Sequence, residues 1–139
     1  MKPDSPCLEN MLCFPLYAAS RKVINYYTPL LKPFGLTYTQ YLVLIVLWET
    51  DGLTIGELCR KLYLDSGTIT PMIKKMEKEG LVERHRCEQD ERSVRVSLTD
   101  KGKDLEEKLI EVPGKVAVQL HIDPQDALQM YQTLYTILN

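Results

Sequence analysis

Residues 64–102 read LDSGTITPMIKKMEKEGLVERHRCEQDERSVRVSLTDKG. Ser66 caps a helix predicted to run to Glu79, and Gly80 is its C-terminal stop. Pro71 lies inside that helix and costs it one backbone hydrogen bond. From residue 81 the period changes. LVERHR and SVRVSLT alternate, with Val94, Val96 and Leu98 on one face. They flank the charged loop CEQDER, so the stretch predicts a two-stranded hairpin.

Just upstream, Thr54-Ile55-Gly56-Glu57 has the form of a capping box opening a short helix to about Leu62, and Tyr63-Leu64-Asp65 is a turn. Short helix, turn, longer helix and hairpin follow one another in a winged helix-turn-helix. The second helix of such a unit enters the major groove, so it needs small hydroxyl side chains at its start and cations to meet phosphates. Ser66, Thr68, Thr70, Lys74 and Lys75 supply them, and the backbone amides at the Ser66 end favour a phosphate. Arg84 and Arg86 add cations on the first hairpin strand. In the wing, Arg92 is placed to reach a minor groove, with Asp90 or Glu91 orienting it. The bland reading of these wing charges is loop ion pairs worth little.

The charge balance agrees locally rather than globally. The 139-residue chain carries a formal −2. Between residues 60 and 101, ten Lys or Arg face eight Asp or Glu, so this segment is +2 and the remainder −4. That enrichment suits duplex binding, which should then be salt-sensitive. With 45% hydrophobic and 26% charged residues the composition is that of a globular chain of one domain.

Working outward, Thr37-Tyr38-Thr39-Gln40 is another capping box, followed by an apolar helix to about Glu49. Its run YLVLIVLW is too short to cross a bilayer and reads as a buried helix. A helix is expected from about Cys13 to Leu31, with Cys13, Tyr17, Ile24, Tyr27 and Leu31 near one stripe. Pro15 is tolerated only near the helix start, and residues 1–9 read as loose. Beyond the hairpin, Thr99 caps a helix KGKDLEEKLIEV, broken at Pro113-Gly114. Asp123-Pro124 opens a last helix in which Leu128, Tyr131, Tyr135 and Leu138 recur at heptad-like spacing.

Four cysteines (Cys7, Cys13, Cys59 and Cys87) lie at unrelated spacings, and no export signal is visible. Reduced thiols in a cytoplasm are therefore expected rather than a disulfide framework. His85 and Cys87 lack the spacing of a four-ligand zinc site, so neither metal nor other cofactor is expected. Cys13 stands apart. It sits in LENMLCFPLY, among Leu12, Phe14 and Leu16, with the phenol of Tyr17 at i+4 on the same helix face. From composition alone it is a small core residue. Phenol donors and a helix N-terminus would instead favour a reactive thiolate.

The stretch 64–102 resembles the winged-helix region of MarR-type bacterial regulators, and DERSVRVSLT is characteristic of that superfamily. LENMLCFPLYAASR and LTYTQYLVLIVLWE resemble its organic-hydroperoxide-sensing branch, the OhrR type, or the related SarZ/MgrA-type thiol regulators. The resemblance covers about residues 8–112. It implies that Cys13 is the peroxide-reactive cysteine and that Tyr27 and Tyr38 bind its thiolate from the other subunit, with Tyr17 nearby. It also implies that Ser66, Thr68, Thr70 and Lys74 are recognition-helix positions and that Asp90 and Arg92 form the wing pair. Pro15 departs from the pattern, as does the C-terminal region, which has no distal cysteine.

Helix geometry adds a condition. Tyr27 lies fourteen residues beyond Cys13, about 21 Å along an ideal helix, so it cannot reach the thiol of its own chain. An antiparallel helix in a two-fold dimer can bring it there. The expected protein is mainly α with a small β-hairpin, a single winged helix-turn-helix domain. Residues 10–36 and 113–139 would dimerise and 37–112 bind DNA. Its expected role is a homodimeric repressor on a palindromic operator, sensing organic hydroperoxide through Cys13. A low-molecular-weight thiol captures the oxidised sulfur, with Cys7 as the in-chain alternative. A MarR-type regulator answering another redox cue or a small aromatic ligand in the interhelical pocket is the alternative. A thiol peroxidase would need a resolving partner and would leave the winged motif unused, so an enzyme is not expected.

Overall fold

The computed structural model describes residues 6–139. Residues 1–5, part of the stretch expected to be loose, lie outside the described residues, and Leu8–Asn10 form one 3-10 turn. The main elements are α1 (Cys13–Leu31), α2 (Tyr38–Glu49), β1 (Leu53–Thr54), α3 (Ile55–Leu62), α4 (Ser66–Lys78), β2 (Val82–Cys87), β3 (Asp90–Leu98), α5 (Asp100–Leu109), α6 (Val112–Leu120) and α7 (Pro124–Leu138). They divide into two compact units: Thr28–Ile110, and the residues up to Tyr27 together with Glu111–Asn139. Among the described residues, no single helix is long and apolar enough to cross a membrane.

The central unit packs four helices on a three-stranded antiparallel sheet of order β1-β3-β2. The expected hairpin is β2 with β3; the third strand, β1, was not expected. Leu53 and Thr54 pair with Val96 and Arg95 and add the hairpin's second neighbour. CEQDER is also less of a loop than its charge suggests. Cys87 pairs with Asp90, a register shift falls between Arg86 and Cys87, and only Glu88 and Gln89 turn the chain. The core draws Val43, Leu44 and Leu47 from α2, Leu58 from α3, Ile69, Ile73 and Met76 from α4, Val96 from β3 and Leu109 from α5. The spacing of Ile69, Ile73 and Met76 puts one face of α4 inside and leaves its opposite face in water. α2 and α5 are also joined by polar groups. The Trp48 indole donates to the Gly102 carbonyl at 2.9 Å and the Tyr41 hydroxyl to that of Leu109 at 3.5 Å.

Local chemistry starts these helices. The Thr37 hydroxyl accepts from the Gln40 amide at 3.3 Å, and the Gln40 side chain accepts from the Thr37 amide at 3.1 Å. Thr54 and Glu57 repeat the exchange at 3.1 and 2.7 Å. These contacts from Thr54 hold the Glu57 carboxyl below its ordinary range. α4 corrects the expectation: its cap is Asp65, whose carboxylate accepts from the Thr68 amide at 2.8 Å, and Ser66 is the first helical residue. Asp65 also brings a negative charge to the positive end of the helix dipole. Asp65→Ala is therefore expected to cost about 1 kcal/mol in urea denaturation. Ser66→Ala should change stability by less than about 0.5 kcal/mol; equal losses would return the cap to Ser66.

The second unit holds most of α1, then α6 and α7. Helix α1 begins at Cys13, and the Leu16 amide bonds the Leu12 carbonyl at 3.3 Å. Pro15 is the third residue of α1, where amides have no intrahelical partner, so its missing N–H costs nothing. Pro113-Gly114 does not break a helix. The preceding helix ends at Leu109, and Pro113 stands at the second position of α6, a place that suits its fixed φ. α7 starts as expected, the Asp123 carboxylate accepting from the Gln125 amide at 2.8 Å. Val112 and Val116 are buried, whereas every residue of α7 is exposed.

Candidate functional site

Of the side chains expected on DNA, α4 carries Ser66, Thr68, Lys74 and Lys75 exposed and Thr70 half-buried. The buried Ile69, Ile73 and Met76 fix this, because they turn the hydroxyls and lysines outward. Thr70 lines a cleft of about 300 Å³ with Thr54, Ile55, Gly56, Arg84, Arg92 and Ser93. The start of α3, the body of α4 and both wing strands thus meet at a hollow bearing two guanidinium groups and several hydroxyls, a chemistry suited to phosphate. Arg86 lies outside it, exposed near the wing tip, where it lines a second hollow with Arg95.

Asp90 acts on Arg92 through the backbone. Its carboxylate accepts the Arg92 amide at 3.0 Å, shaping the turn out of which the exposed guanidinium extends. The Glu91 side chain, the other candidate for orienting Arg92, lies outside the described residues. Arg84 is not a free cation awaiting a phosphate. Its Nε and Nη2 donate to Glu77 Oε1 at 3.2 and 3.0 Å, and its backbone N–H to Oε2 at 3.0 Å. Those side-chain and backbone contacts hold the Glu77 carboxyl below the usual carboxylate range.

Three residues that matter here were missed from sequence. Glu77 is one. Asp51 is another: its carboxylate accepts the amides of Gly52 and Leu98, both at 2.9 Å. Arg95 is the third, donating to the Gly52 carbonyl at 2.8 Å. Together Asp51 and Arg95 bind the root of β3 to the turn before β1. The contacts from Asp51 to Leu98 and from Arg95 to Gly52 span more than forty residues of sequence, so no local pattern announces them.

On the other unit, Cys13 and Tyr17 are both exposed, one helical turn apart at the start of α1. The Arg21 guanidinium lies 5.4 Å from the Tyr17 ring centre. Tyr27 is half-buried, further along the same continuous helix, and α1 does not fold back to bring it to Cys13. Tyr38 opens α2 in the central unit, and burial holds its phenol above the ordinary value. Leu12, Pro15, Leu16 and Ala19 of the α1 region line an apolar groove of about 460 Å³ with Met130, Leu134 and Ile137 of α7.

A helix-turn-helix followed by a sheet wing, with hydroxyls and lysines on the outer face of the second helix, defines a winged-helix DNA-binding regulator of the MarR type. The profile of the transcriptional regulator SarA/Rot family matches residues 25–109, and the chain belongs to that family. It is 48% identical over 137 residues to the organic hydroperoxide resistance transcriptional regulator of Bacillus subtilis, covering 99% of this chain and 93% of the relative. Among solved structures it is similar to reduced AbfR bound to DNA, at 37% identity and a TM-score of 0.80, covering 94% and 91% of the two chains. AbfR, a protein of Staphylococcus epidermidis, has also been solved in a disulfide form, which this chain fits at 39% identity and a TM-score of 0.69, covering 95% and 93%.

Proposed function

We propose that this chain is a homodimeric transcriptional repressor that grips a palindromic operator when reduced and releases it when an organic hydroperoxide oxidises Cys13. The observation that carries the reading is full-length similarity, at 48%, to a regulator of organic hydroperoxide resistance, in a chain whose Cys13 opens α1 with Tyr17 one turn on. Residues 37–112 read the DNA through Ser66, Thr68, Thr70, Lys74, Lys75, Arg84, Arg86 and the wing pair Asp90 and Arg92. Residues 10–36 and 113–139 join the two copies. Exposed apolar side chains support that division: Leu12 is 71% exposed, Tyr131 60% and Ile137 62%. A lone soluble monomer seldom leaves so many large apolar groups in water. The dimer also supplies what α1 lacks alone, a Tyr27 phenol from the second protomer beside Cys13.

The chemistry is a single oxidation rather than turnover. The Cys13 sulfur attacks the terminal peroxide oxygen and the O–O bond breaks. The alcohol leaves with a proton, and the sulfur becomes a sulfenic acid. A low-molecular-weight thiol then condenses with it, giving a mixed disulfide and water. Either product is larger than a thiolate and loses its phenol contacts, which shifts the two wings off the half-site spacing. Reduced protein is expected to bind a palindromic duplex selected from random DNA and to release it on addition of cumene hydroperoxide, read by fluorescence anisotropy. Failure to prefer the selected duplex removes the repressor reading; binding that persists after oxidant removes the sensor reading.

The apolar groove between α1 and α7 supports a second reading, in which a small aromatic ligand triggers release instead, since about 460 Å³ is within the range of small-molecule sites. A wild-type protein that ignores peroxide but releases DNA to an aromatic acid would select it.

A further inference from the structure

Helix α4 and the wing are tied by one side-chain pair. Glu77, near the end of α4, receives three hydrogen bonds from Arg84 of β2, two from the guanidinium and one from the backbone N–H. β2 is an edge of the sheet, so the Arg84 amide would otherwise be an open edge donor. The pair spans the turn at 79–81, with side chains 33% and 36% exposed. A planar guanidinium held on one carboxylate has little freedom to swing, and the backbone bond fixes the strand as well as the side chain.

We infer that Glu77 is a positioning residue for DNA recognition: through Arg84 it holds the wing at a set angle to α4 and keeps the Arg84 guanidinium in the cleft beside Thr70 and Arg92. The inference rests on the reading of α4 and the wing as the DNA-contacting surface. The competing account makes Arg84 an independent phosphate contact and Glu77 a bystander acid. The two accounts differ in sign. A bystander carboxylate near DNA repels phosphates, so removing it tightens binding. A positioning carboxylate, once removed, weakens it.

The test uses the full reduced chain and two duplexes, a palindrome selected on the wild-type protein and a random sequence. Wild-type protein that cannot tell them apart overturns the DNA-binding reading itself, before any variant is compared. Given that preference, Glu77→Ala and Arg84→Ala are each expected to weaken binding to the selected duplex about tenfold, and the double variant no more than either alone. Glu77→Gln keeps an acceptor oxygen and should recover most of the affinity. Random duplex should be bound by Glu77→Ala as well as by wild type or better, a pattern that general loss of folding does not produce. Circular dichroism melts identify a temperature at which every variant is folded, and the comparison is made there. Equal or tighter binding of the selected duplex by Glu77→Ala, or additive losses in the double variant, would overturn the inference.

Discussion

Cys13→Ser is expected to bind the selected duplex within about twofold of wild type and to stay bound through a cumene hydroperoxide dose that releases wild-type protein completely. A hydroxyl fills nearly the space of the thiol and would accept the phenol hydrogen bonds proposed for it in the dimer, so reduced-state binding should survive. What disappears is the nucleophile, because an alcohol does not attack a peroxide at neutral pH. Cys7→Ser separates the fate of the oxidised sulfur. If a small thiol captures it, this variant releases DNA as wild type does, and peptide mass spectrometry finds Cys13 carrying that thiol. Release of Cys13→Ser at the wild-type dose sinks the sensing role. Cys87 on the wing would then be the first cysteine to examine, since it is half-buried beside Arg86 and Arg95, near the residues proposed to meet DNA.

The second large effect concerns Gly102. Its backbone is not in the left-handed region; the constraint is space. A Cβ there would overlap the Leu81 carbonyl oxygen and press on Leu98 Cδ2 at 3.1 Å. The Leu81 carbonyl, a backbone group, cannot yield cheaply. The Leu81 oxygen accepts the Thr99 amide at 3.1 Å, the Thr99 hydroxyl caps α5 by accepting from Gly102 N–H at 3.1 Å, and Gly102 O receives the Trp48 indole. One methyl group therefore pushes α5 off the end of α4 and off α2 together. Gly102→Ala should lose about 3 kcal/mol in urea denaturation. Gly114→Ala, with nothing within 4 Å of the added carbon and a helical position in α6, should instead gain about 0.7 kcal/mol. Equal effects at the two glycines would mean that helix propensity, not the Leu81 contact, sets the cost at 102.

Gly102 and Gly114 mark where the sequence stops being legible. Both stand in helical stretches and look alike as letters. Only the position of the Leu81 carbonyl makes one indispensable and leaves the other replaceable. The caps were legible for the opposite reason: Thr37 with Gln40, and Thr54 with Glu57, complete their hydrogen bonds within three residues. At Asp65-Ser66 two good capping residues adjoin, and composition cannot choose between them. Pro113 is ambiguous in sequence because proline both ends and begins helices, and the choice depends on where the preceding helix stops.

Residue chemistry and period by themselves determined the winged helix-turn-helix, the outward hydroxyls and lysines of α4, and a cysteine with a phenol one turn away, because each is written within a few residues of chain. Tertiary structure alone decided that Leu53 and Thr54 form a strand, that Arg84 is held by Glu77, and that Asp51 and Arg95 anchor β3. Those contacts join groups separated by a turn or by tens of residues. Their energy comes from neighbours that exist only once α2, α4 and the sheet have packed, and an isolated segment carries no trace of them.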